Sequence, residues 1–319
     1  MIAGSSRSKV LVTGATGFVG RPVCDQLSAR GCMVAPAVRD VSGLPNEVVT
    51  GDIGPLTDWS DALTGCNSVV HLAARVHVMR KTAVVPANAY AAVNTAGTLN
   101  LALQAATAGV RRFVFLSSIK VNGEETIAGC RFGPADAPSP QDAYATSKAD
   151  AEAGLRSIAS ATSMECVIVR APLVYGPGVK GNFAEMMRAV ARGLPLPFGA
   201  VTDNRRSLVG LDNLVDLIVT CIDHPAAANQ TFLVSDGEDL STADLLRRLG
   251  AAMGKPARLL NIPPALLGAA AAFIGKRAVA QRLLGNLQVD ISHTCRTLGW
   301  KPPISVDEGL RRAVQGAMR

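Results

Sequence analysis

The chain has 319 residues, of which 48% are hydrophobic and 4% aromatic, and its formal net charge is +7 at pH 7. This length and composition exclude a disordered chain and a small disulfide scaffold, and they allow one large domain or a main domain with a smaller second lobe. The basic residues form no run of five and alternate with no aromatic residues. Nucleic acid is therefore the least supported partner, and anionic small molecules are a better one.

Cysteine and histidine spacing shows no metal or disulfide pattern. The seven cysteines lack C-x-x-C and Cys/His ligand spacing, and no signal peptide precedes them, which predicts a reducing cytoplasm. The histidines show no ligand spacing either, so we expect no bound metal. They are His71, His77, His224 and His293.

The most apolar stretch of the chain covers residues 259–275. Asn261, Pro263 and Pro264 interrupt it, and it is shorter than the roughly 20 residues that a membrane-spanning helix needs. We interpret the stretch as a buried helix and expect no stable membrane span. The alternative is a surface that contacts lipid or a lipid-linked substrate.

Short β-branched runs alternate with helical patterns through the first half of the chain. The runs cover residues 9–13, 33–38, 47–51, 68–72, 112–116 and 166–170. Strands separated by helices predict a Rossmann-type α/β fold, with a doubly wound parallel sheet covered on both faces. Pro36 lies inside the second run, and because proline cannot donate to a ladder we expect that strand to be short or bent.

A glycine-rich turn, GATGFVG, follows the first run and opens a helix. Gly14, Gly17 and Gly20 would allow a tight turn and a close approach of the backbone to a pyrophosphate, and the helix N-terminus would provide free N–H groups. Such a sequence is often only a turn, but its place between a first strand and an amphipathic helix predicts a dinucleotide site. Phe18 and Val19 belong to the same predicted site.

The residue that ends the second strand distinguishes the two nicotinamide dinucleotides. An acid there binds the ribose hydroxyl of NAD, whereas an arginine binds the 2′-phosphate of NADP. This chain has Arg39 followed by Asp40. Because a guanidinium matches phosphate geometry bidentately, we favour NADP(H). The alternative is a surface Arg39 paired with its neighbour, with Asp40 free to bind NAD(H).

Tyr144 and Lys148 lie in a helical stretch, 141–161, where a spacing of four puts both side chains on one face. A nearby ammonium favours the ionised phenol, so we expect a lowered pKa of Tyr144 and proton exchange with a substrate hydroxyl or carbonyl oxygen. The Tyr-x-x-x-Lys spacing alone occurs by chance in many helices. Only the surrounding sequence can distinguish a catalytic pair from a surface pair.

After Arg170 the chain becomes rich in proline and glycine, at 171–181 and 193–199. Such interruptions predict loops that leave the sheet to build a substrate lobe. We assign 1–175 to the dinucleotide-binding domain, with 208–235 returning to it, and 176–207 and 236–319 to the lobe. Capping boxes at Ser241 and Ser305 mark helix starts there.

The chain resembles the extended short-chain dehydrogenase/reductase family, in particular its epimerase/dehydratase branch that acts on nucleotide sugars. The resemblance covers essentially the whole chain. The motifs that carry it are GATGFVG at 14–20, GDI at 51–53, HLAA at 71–74, VN at 93–94, LSS at 116–118, YATSK at 144–148 and RAPLVYGPG at 170–178.

The resemblance implies roles for particular residues. Tyr144 would exchange the proton, Ser118 would hydrogen-bond the reacting oxygen, and Lys148 would also hold the nicotinamide ribose. The other residues implied at the dinucleotide are Asp52, Ile53, Leu72, Ala73, Ala74, Asn94, Ser117, Pro172 and Val174. The residues implied at the UDP-linked substrate are Ser118, Asn182, Pro197 and Arg206, the last at the diphosphate.

Two departures from the 4-epimerase pattern favour a reductase. The chain has Val121, Asn122 and Gly123 where epimerases usually have Val-Tyr-Gly, and Arg39 replaces the acidic residue expected where NAD is retained. We therefore expect NADPH-dependent reduction of the C4 keto group of a UDP-sugar for surface polysaccharide synthesis. The alternatives are a UDP-sugar 4-epimerase with bound NAD and a non-catalytic dinucleotide sensor. The helical stretches 87–108 and 141–161 resemble those that form homodimers in this family.

Overall fold

The computed structural model describes residues 8–76 and 87–317, so that His77 lies outside the described residues. The strands are β1 (Lys9–Thr13), β2 (Met33–Val38), β3 (Val48–Val49), β4 (Ser68–His71), β5 (Arg112–Ser118), β6 (Glu165–Ala171), β7 (Leu173–Tyr175), β8 (Arg206–Gly210), β9 (Thr231–Leu233) and β10 (Asp239–Leu240). The helices are α1 (Gly20–Ala29), α2 (Ser60–Leu63), α3 (Ala87–Tyr90), α4 (Thr98–Thr107), α5 (Ala143–Ala161), α6 (Gly181–Ala191), α7 (Leu211–Asp223), α8 (Thr242–Ala252), α9 (Pro264–Phe273), α10 (Arg277–Leu284), α11 (Ser292–Leu298) and α12 (Val306–Ala317). A π-helical turn, Ala91–Gly97, joins α3 to α4.

Seven strands form one parallel sheet in the order β3-β2-β1-β4-β5-β6-β9. The sheet grows in one direction from β1 to β3 and in the other from β4 onwards, so the strand order reverses between β1 and β4. In open α/β sheets, ligands bind beyond the carboxyl ends of the strands at this reversal. The predicted Rossmann-type fold is confirmed.

Helices cover both faces of this sheet. On one face α1 and α7 bury Leu27 and Leu217, and on the other α4 and α5 bury Leu101 and Leu155. Each leucine buried in this way contributes about 1.5–3 kcal/mol of hydrophobic free energy. The sheet is therefore apolar on both sides, and polar chemistry is left to its carboxyl edge.

A second, smaller sheet has the order β10-β8-β7 and packs with α6, α8 and α12. Its core contains Leu208, Leu249 and Leu310. The Tyr175 hydroxyl donates to Asp236 at 2.7 Å, which ties β7 to the segment that follows β9. This sheet and its helices form a lobe beside the carboxyl edge of the main sheet, while the lobe boundaries given above stay a prediction.

The strand that contains Pro36 is neither short nor interrupted. β2 keeps all six residues of the predicted run, and Pro36 pairs with Val12 of β1. On its other side β2 pairs with β3 only at Ala37 and Val38. Pro36 therefore has a strand partner on one side only, which is an edge environment where proline is tolerated.

The prediction of a buried helix in residues 259–275 is wrong. The stretch contains α9, and none of the residues of α9 is buried. The side chain of Phe273 at its end is 92% exposed. Nor is there, in residues 8–76 and 87–317, any helix with the length and apolar character needed to cross a bilayer.

Candidate active site

The residues predicted for the site follow neighbouring strands at the same edge of the sheet. The glycine turn follows β1, Arg39 follows β2, and Leu72 to Ala74 follow β4. Ser118 ends β5 and pairs with Ala171, so that Pro172 and Val174 leave β6 beside it. The parallel topology thus gathers residues from five strands around one edge.

At its three glycine positions the glycine turn packs too closely to hold a side chain. A Cβ at Gly20 would lie 2.0 Å from the Gly14 carbonyl oxygen, and one at Gly17 would lie 2.9 Å from it. Gly14 has a φ of +66° and lies against the backbone of Ala73. α1 begins at Gly20 with no acidic residue in its first turn. This bare, electropositive helix start fits the pyrophosphate of a dinucleotide.

A buried hydrogen-bond chain fixes the strand ends beneath this turn. The ring of His71 is hydrogen-bonded to the hydroxyl of Thr13 at 2.7 Å and to that of Thr98 at 2.9 Å. The Thr13 hydroxyl also accepts from the backbone N–H groups of Leu72 and Ala73. Burial, with a smaller effect of the Lys148 charge, lowers the pKa of His71 to about 3. His71 is therefore a neutral structural residue, bonded to side chains rather than to the backbone.

Arg39 and Asp52 form an ion pair at 2.8 Å, with side chains that are 73% and 84% exposed. The partner of Arg39 is thus not Asp40 but Asp52, which the resemblance places at the dinucleotide. Ile53, beside Asp52, packs against Gly97. A Cβ added at Gly97 would lie 2.8 Å from the Ile53 side chain. The Arg39 guanidinium, which was expected to bind a 2′-phosphate, is therefore already paired with a carboxylate.

Asn94 is buried and links two segments of the site. Its side-chain oxygen accepts from the Arg75 N–H at 2.7 Å, and its amide donates to the Arg75 carbonyl and to the Ser147 hydroxyl. Ser147 in turn donates to the Tyr144 carbonyl at 2.7 Å. Asn94 thereby holds the segment after β4 against the helix that carries Tyr144.

Tyr144 lies in the first turn of α5, within hydrogen-bonding distance of Ser118. Asp142 caps this helix by accepting from the Ala145 N–H at 2.7 Å. The Tyr144 ring meets the Tyr90 ring edge-on, with centroids 6.4 Å apart. The phenol and the Ser118 hydroxyl are thus presented together at the end of β5, where one substrate oxygen could contact both.

Lys148 lies one turn further along α5 and is almost fully buried. Its ammonium donates to the Leu116 carbonyl at 2.9 Å and lies 4.3 Å from the centroid of the Phe115 ring. Burial lowers the pKa of Lys148 to about 7, although the charge of Glu152 acts in the opposite direction. The lysine is fixed by β5 on the same helix face as Tyr144.

The expected lowering of the pKa of Tyr144 is wrong for this state of the protein. Burial, together with the charge of Asp142, raises the pKa of Tyr144 to about 12, and only the hydrogen bond with Ser118 acts against this. The physical reason is that burial disfavours the phenolate, while the Lys148 ammonium that was expected to stabilise it donates to the Leu116 carbonyl. Tyr144 is a neutral acid here, ready to donate a proton.

A buried ionic network lies beneath these residues, and sequence reasoning missed it. Glu152 binds the Arg170 guanidinium at 2.6 Å, and both side chains are at most 2% exposed. Ser117 donates to Glu152 at 2.6 Å, and Arg170 donates to Asn122 at 2.9 Å. Ser117 therefore uses its hydroxyl in this network, and Asn122, one of the departures from the epimerase pattern, has a structural partner.

Apart from Ser118, the residues expected at the substrate lie in the part of the chain assigned to the smaller lobe. Arg206 begins β8, and burial, followed by the charge of Arg282, lowers its pKa to about 10. Asn182 is exposed on the first turn of α6, and Pro197 is half-buried. Arg282 was not predicted, because no motif surrounds it, and its charge acts on Arg206.

Comparisons with known proteins agree with this geometry. The model of the NAD dependent epimerase/dehydratase family matches residues 10–235. A UDP-glucose 4-epimerase from Vibrio cholerae is 50% identical over 315 residues, covering 97% of this chain and 95% of that protein.

Two solved structures share the fold. The UDP-N-acetylglucosamine 4-epimerase from Bacillus cereus has a TM-score of 0.79 at 18% identity, covering 98% of this chain and 99% of that chain. The UDP-glucuronic acid 4-epimerase from Bacillus cereus, in complex with NAD, has a TM-score of 0.76 at 20% identity, covering 97% of this chain and 98% of that chain.

Proposed function

The chain belongs to the NAD dependent epimerase/dehydratase family of short-chain dehydrogenase-type enzymes, and on that premise we propose that it is a UDP-sugar 4-epimerase that works with bound NAD. The observation that carries the proposal is the grouping of Ser118, Tyr144 and Lys148 at the sheet edge, next to a glycine turn that fits a dinucleotide. The 50% identity to a UDP-glucose 4-epimerase supports the epimerase over the reductase that we favoured from the sequence.

The proposed roles follow from the positions of the side chains. Bound NAD would supply a nicotinamide ring that accepts hydride from C4 of the sugar and can give it back. Tyr144 takes the proton of the C4 hydroxyl and later gives it back, while Ser118 holds the same oxygen. Because the pKa of Tyr144 is raised to about 12 here, proton removal requires a further positive charge near the phenol. Lys148, one helical turn away, is the nearest lysine on that helix face.

The cofactor is proposed to be NAD rather than NADP. An arginine already paired with a carboxylate is a poorer receptor for a 2′-phosphate, and Arg39 is paired with Asp52. Titration of the purified protein with both dinucleotides tests this. We expect tighter binding of NAD, and we expect Arg39→Ala to change NADP binding little; preferential NADP binding that is lost in Arg39→Ala would restore the earlier interpretation.

At the substrate, Arg206 and Arg282 are proposed to bind the diphosphate of the UDP-sugar, with Asn182 and Pro197 lining the same site. The charge of Arg282 lowers the pKa of Arg206, which supports the closeness of the two arginines, while two nearby glutamates act in the opposite direction. A diphosphate placed between these two arginines would be attracted by both guanidinium charges. Arg282→Ala should therefore raise KM for the UDP-sugar with a smaller effect on kcat.

The assay that decides between the functions is incubation with UDP-glucose and NAD, followed by chromatographic separation of the 4-epimers. We expect interconversion with no net change in reduced cofactor. Consumption of NADPH in proportion to a UDP-4-keto sugar would support the reductase instead, and failure of both reactions with intact dinucleotide binding would support the sensor. Tyr144→Phe is the control, and it should lose turnover while keeping cofactor affinity.

We also propose a homodimer formed through α4 and α5. These helices lie side by side on one face of the sheet, and α4 carries Leu103 with a 54% exposed side chain. Light scattering should give a dimer mass, and Leu103→Asp should give a monomer. Leu56→Asp is the matched control, because Leu56 is 94% exposed and lies outside both helices.

A further inference from the structure

The most exposed apolar surface of the smaller lobe is a helical hairpin made of α9 and α10, here called the α9–α10 hairpin (residues 264–284). Neither helix has a buried residue. Leu266 is 61% exposed, Phe273 92% and Ile274 62%. Helices of the body such as α7 bury an apolar face against the sheet, whereas this hairpin presents its apolar side chains outward. An apolar surface of this kind marks a binding site for an apolar partner.

The charged side chains within the hairpin and its flanking sequence have one sign. From residue 245 to 289 the sequence contains seven Lys or Arg and no Asp or Glu. Lys276 and Arg277 follow Phe273 and Ile274 directly, through a turn at Gly275, and both are exposed. In contrast to Arg248, which pairs with Glu238 and Asp307, neither has an ion-pair partner in the described part of the chain. The tip of the hairpin is thus both apolar and cationic.

The hairpin is attached firmly at both ends. At its start, Leu260 donates to the Leu196 carbonyl at 2.8 Å and accepts from Gly199 at 2.9 Å. At its end, Leu287 donates to the Arg205 carbonyl at 2.9 Å. These anchor points adjoin Pro197 and Arg206, which are proposed to line the site of the UDP-sugar. The exposed tip is therefore a fixed projection of the lobe next to the substrate segments.

We propose that the tip of the α9–α10 hairpin docks on an anionic phospholipid bilayer. Phe273 and Ile274 would enter the boundary between headgroups and acyl chains, and Lys276 and Arg277 would contact lipid phosphates. The ten residues of α9 extend about 15 Å, half of the hydrocarbon thickness, so the hairpin lies on the membrane and does not cross it. A second protein molecule is the weaker occupant, because the acid-free surface would repel a copy of itself.

The test is co-sedimentation of the full chain with phosphatidylcholine vesicles, with and without phosphatidylglycerol. We expect binding only to the vesicles that contain phosphatidylglycerol, and weaker binding as salt is added. Lys276→Glu and Arg277→Glu should each weaken binding by roughly fivefold or more, because each cation near an anionic surface is worth about 1 kcal/mol. The double variant Phe273→Ser, Ile274→Ser should weaken it at least as much.

Matched controls keep the result specific. Leu56→Ser removes an equally exposed apolar side chain from the main domain, and Arg30→Glu reverses an exposed charge there, so both should bind vesicles like the unaltered protein. Epimerase activity on a soluble UDP-sugar should be unchanged in the Phe273 and Ile274 double variant, which separates this proposal from the proposed function. Absence of binding to anionic vesicles, equal binding by the hairpin variants, or a dimer that the hairpin variants dissociate would overturn the proposal.

Discussion

The buried ammonium of Lys148 should make the protein less stable than it would be with an apolar residue there. Burial lowers the pKa of Lys148 from 10.5 to about 7. Between these values the unfolded chain holds a proton that the folded protein does not, so the free energy of unfolding rises with pH. The penalty from this linkage is about 4 kcal/mol near pH 7 and disappears above pH of about 10.5.

Lys148→Met removes this penalty, although it also removes the contacts with Leu116 and Phe115. Near neutral pH we expect the free energy of unfolding of the variant to exceed that of the unaltered protein by about 1–3 kcal/mol, which raises its denaturant midpoint. We also expect the variant to lose turnover. The difference should shrink by about 2 kcal/mol between pH of about 7 and about 9, because only the unaltered protein gains stability in that interval.

The measurement is urea unfolding of both proteins at several pH values, with Lys301→Met as the control for an exposed lysine. Removal of the exposed Lys301 relieves no burial cost, so its stability curve should run parallel to that of the unaltered protein. A difference between Lys148→Met and the unaltered protein that does not change between neutral and alkaline pH would refute the reasoning, and so would a difference that grows with pH.

Three further predictions concern the site. Gly20→Ala should weaken dinucleotide binding more than tenfold in a fluorescence titration, because its Cβ would lie 2.0 Å from a carbonyl oxygen; Gly54→Ala, with open space around its Cβ, should bind normally. Glu152→Gln leaves a buried guanidinium without a counter-charge and should cost about 3–5 kcal/mol in denaturant unfolding; a loss below 1 kcal/mol would contradict the network. Ser118→Ala removes the hydrogen bond that lowers the pKa of Tyr144, so the pH at which activity rises should move upward, and an unchanged pH profile would argue against this contact.

The strands and the site edge could be predicted because short-range pattern and topology determine them. β1 and β2 have the predicted bounds, and a spacing of four places Tyr144 and Lys148 on one helix face. The third run gave only Val48–Val49, because β2 offers it a partner at two residues. The parallel sheet then brings residues from distant parts of the chain to one edge.

Interactions that depend on the neighbours of a side chain could not be predicted. The ammonium of Lys148 was expected to act on the phenol of Tyr144, but it bonds to a strand carbonyl that sequence spacing does not reveal. The 259–275 stretch was interpreted as buried because of its composition, but composition does not show that α9 packs against α10 and leaves its residues partly or fully exposed. Arg282 lies in no recognisable sequence motif, and only its position near Arg206 in the structure identifies it as a candidate site residue.

The carboxylate of Glu152 restricts which amino-acid substitutions the protein can accept during evolution. Ser117, Arg170 and Arg156 bond to it directly, and Asn122 is linked to it through Arg170. Loss of either Glu152 or Arg170 leaves the other charge buried without its counter-charge unless a second change accompanies it. Substitutions in this network should therefore occur in pairs during evolution. A homologue that has lost Glu152 is expected to have lost Arg170 as well.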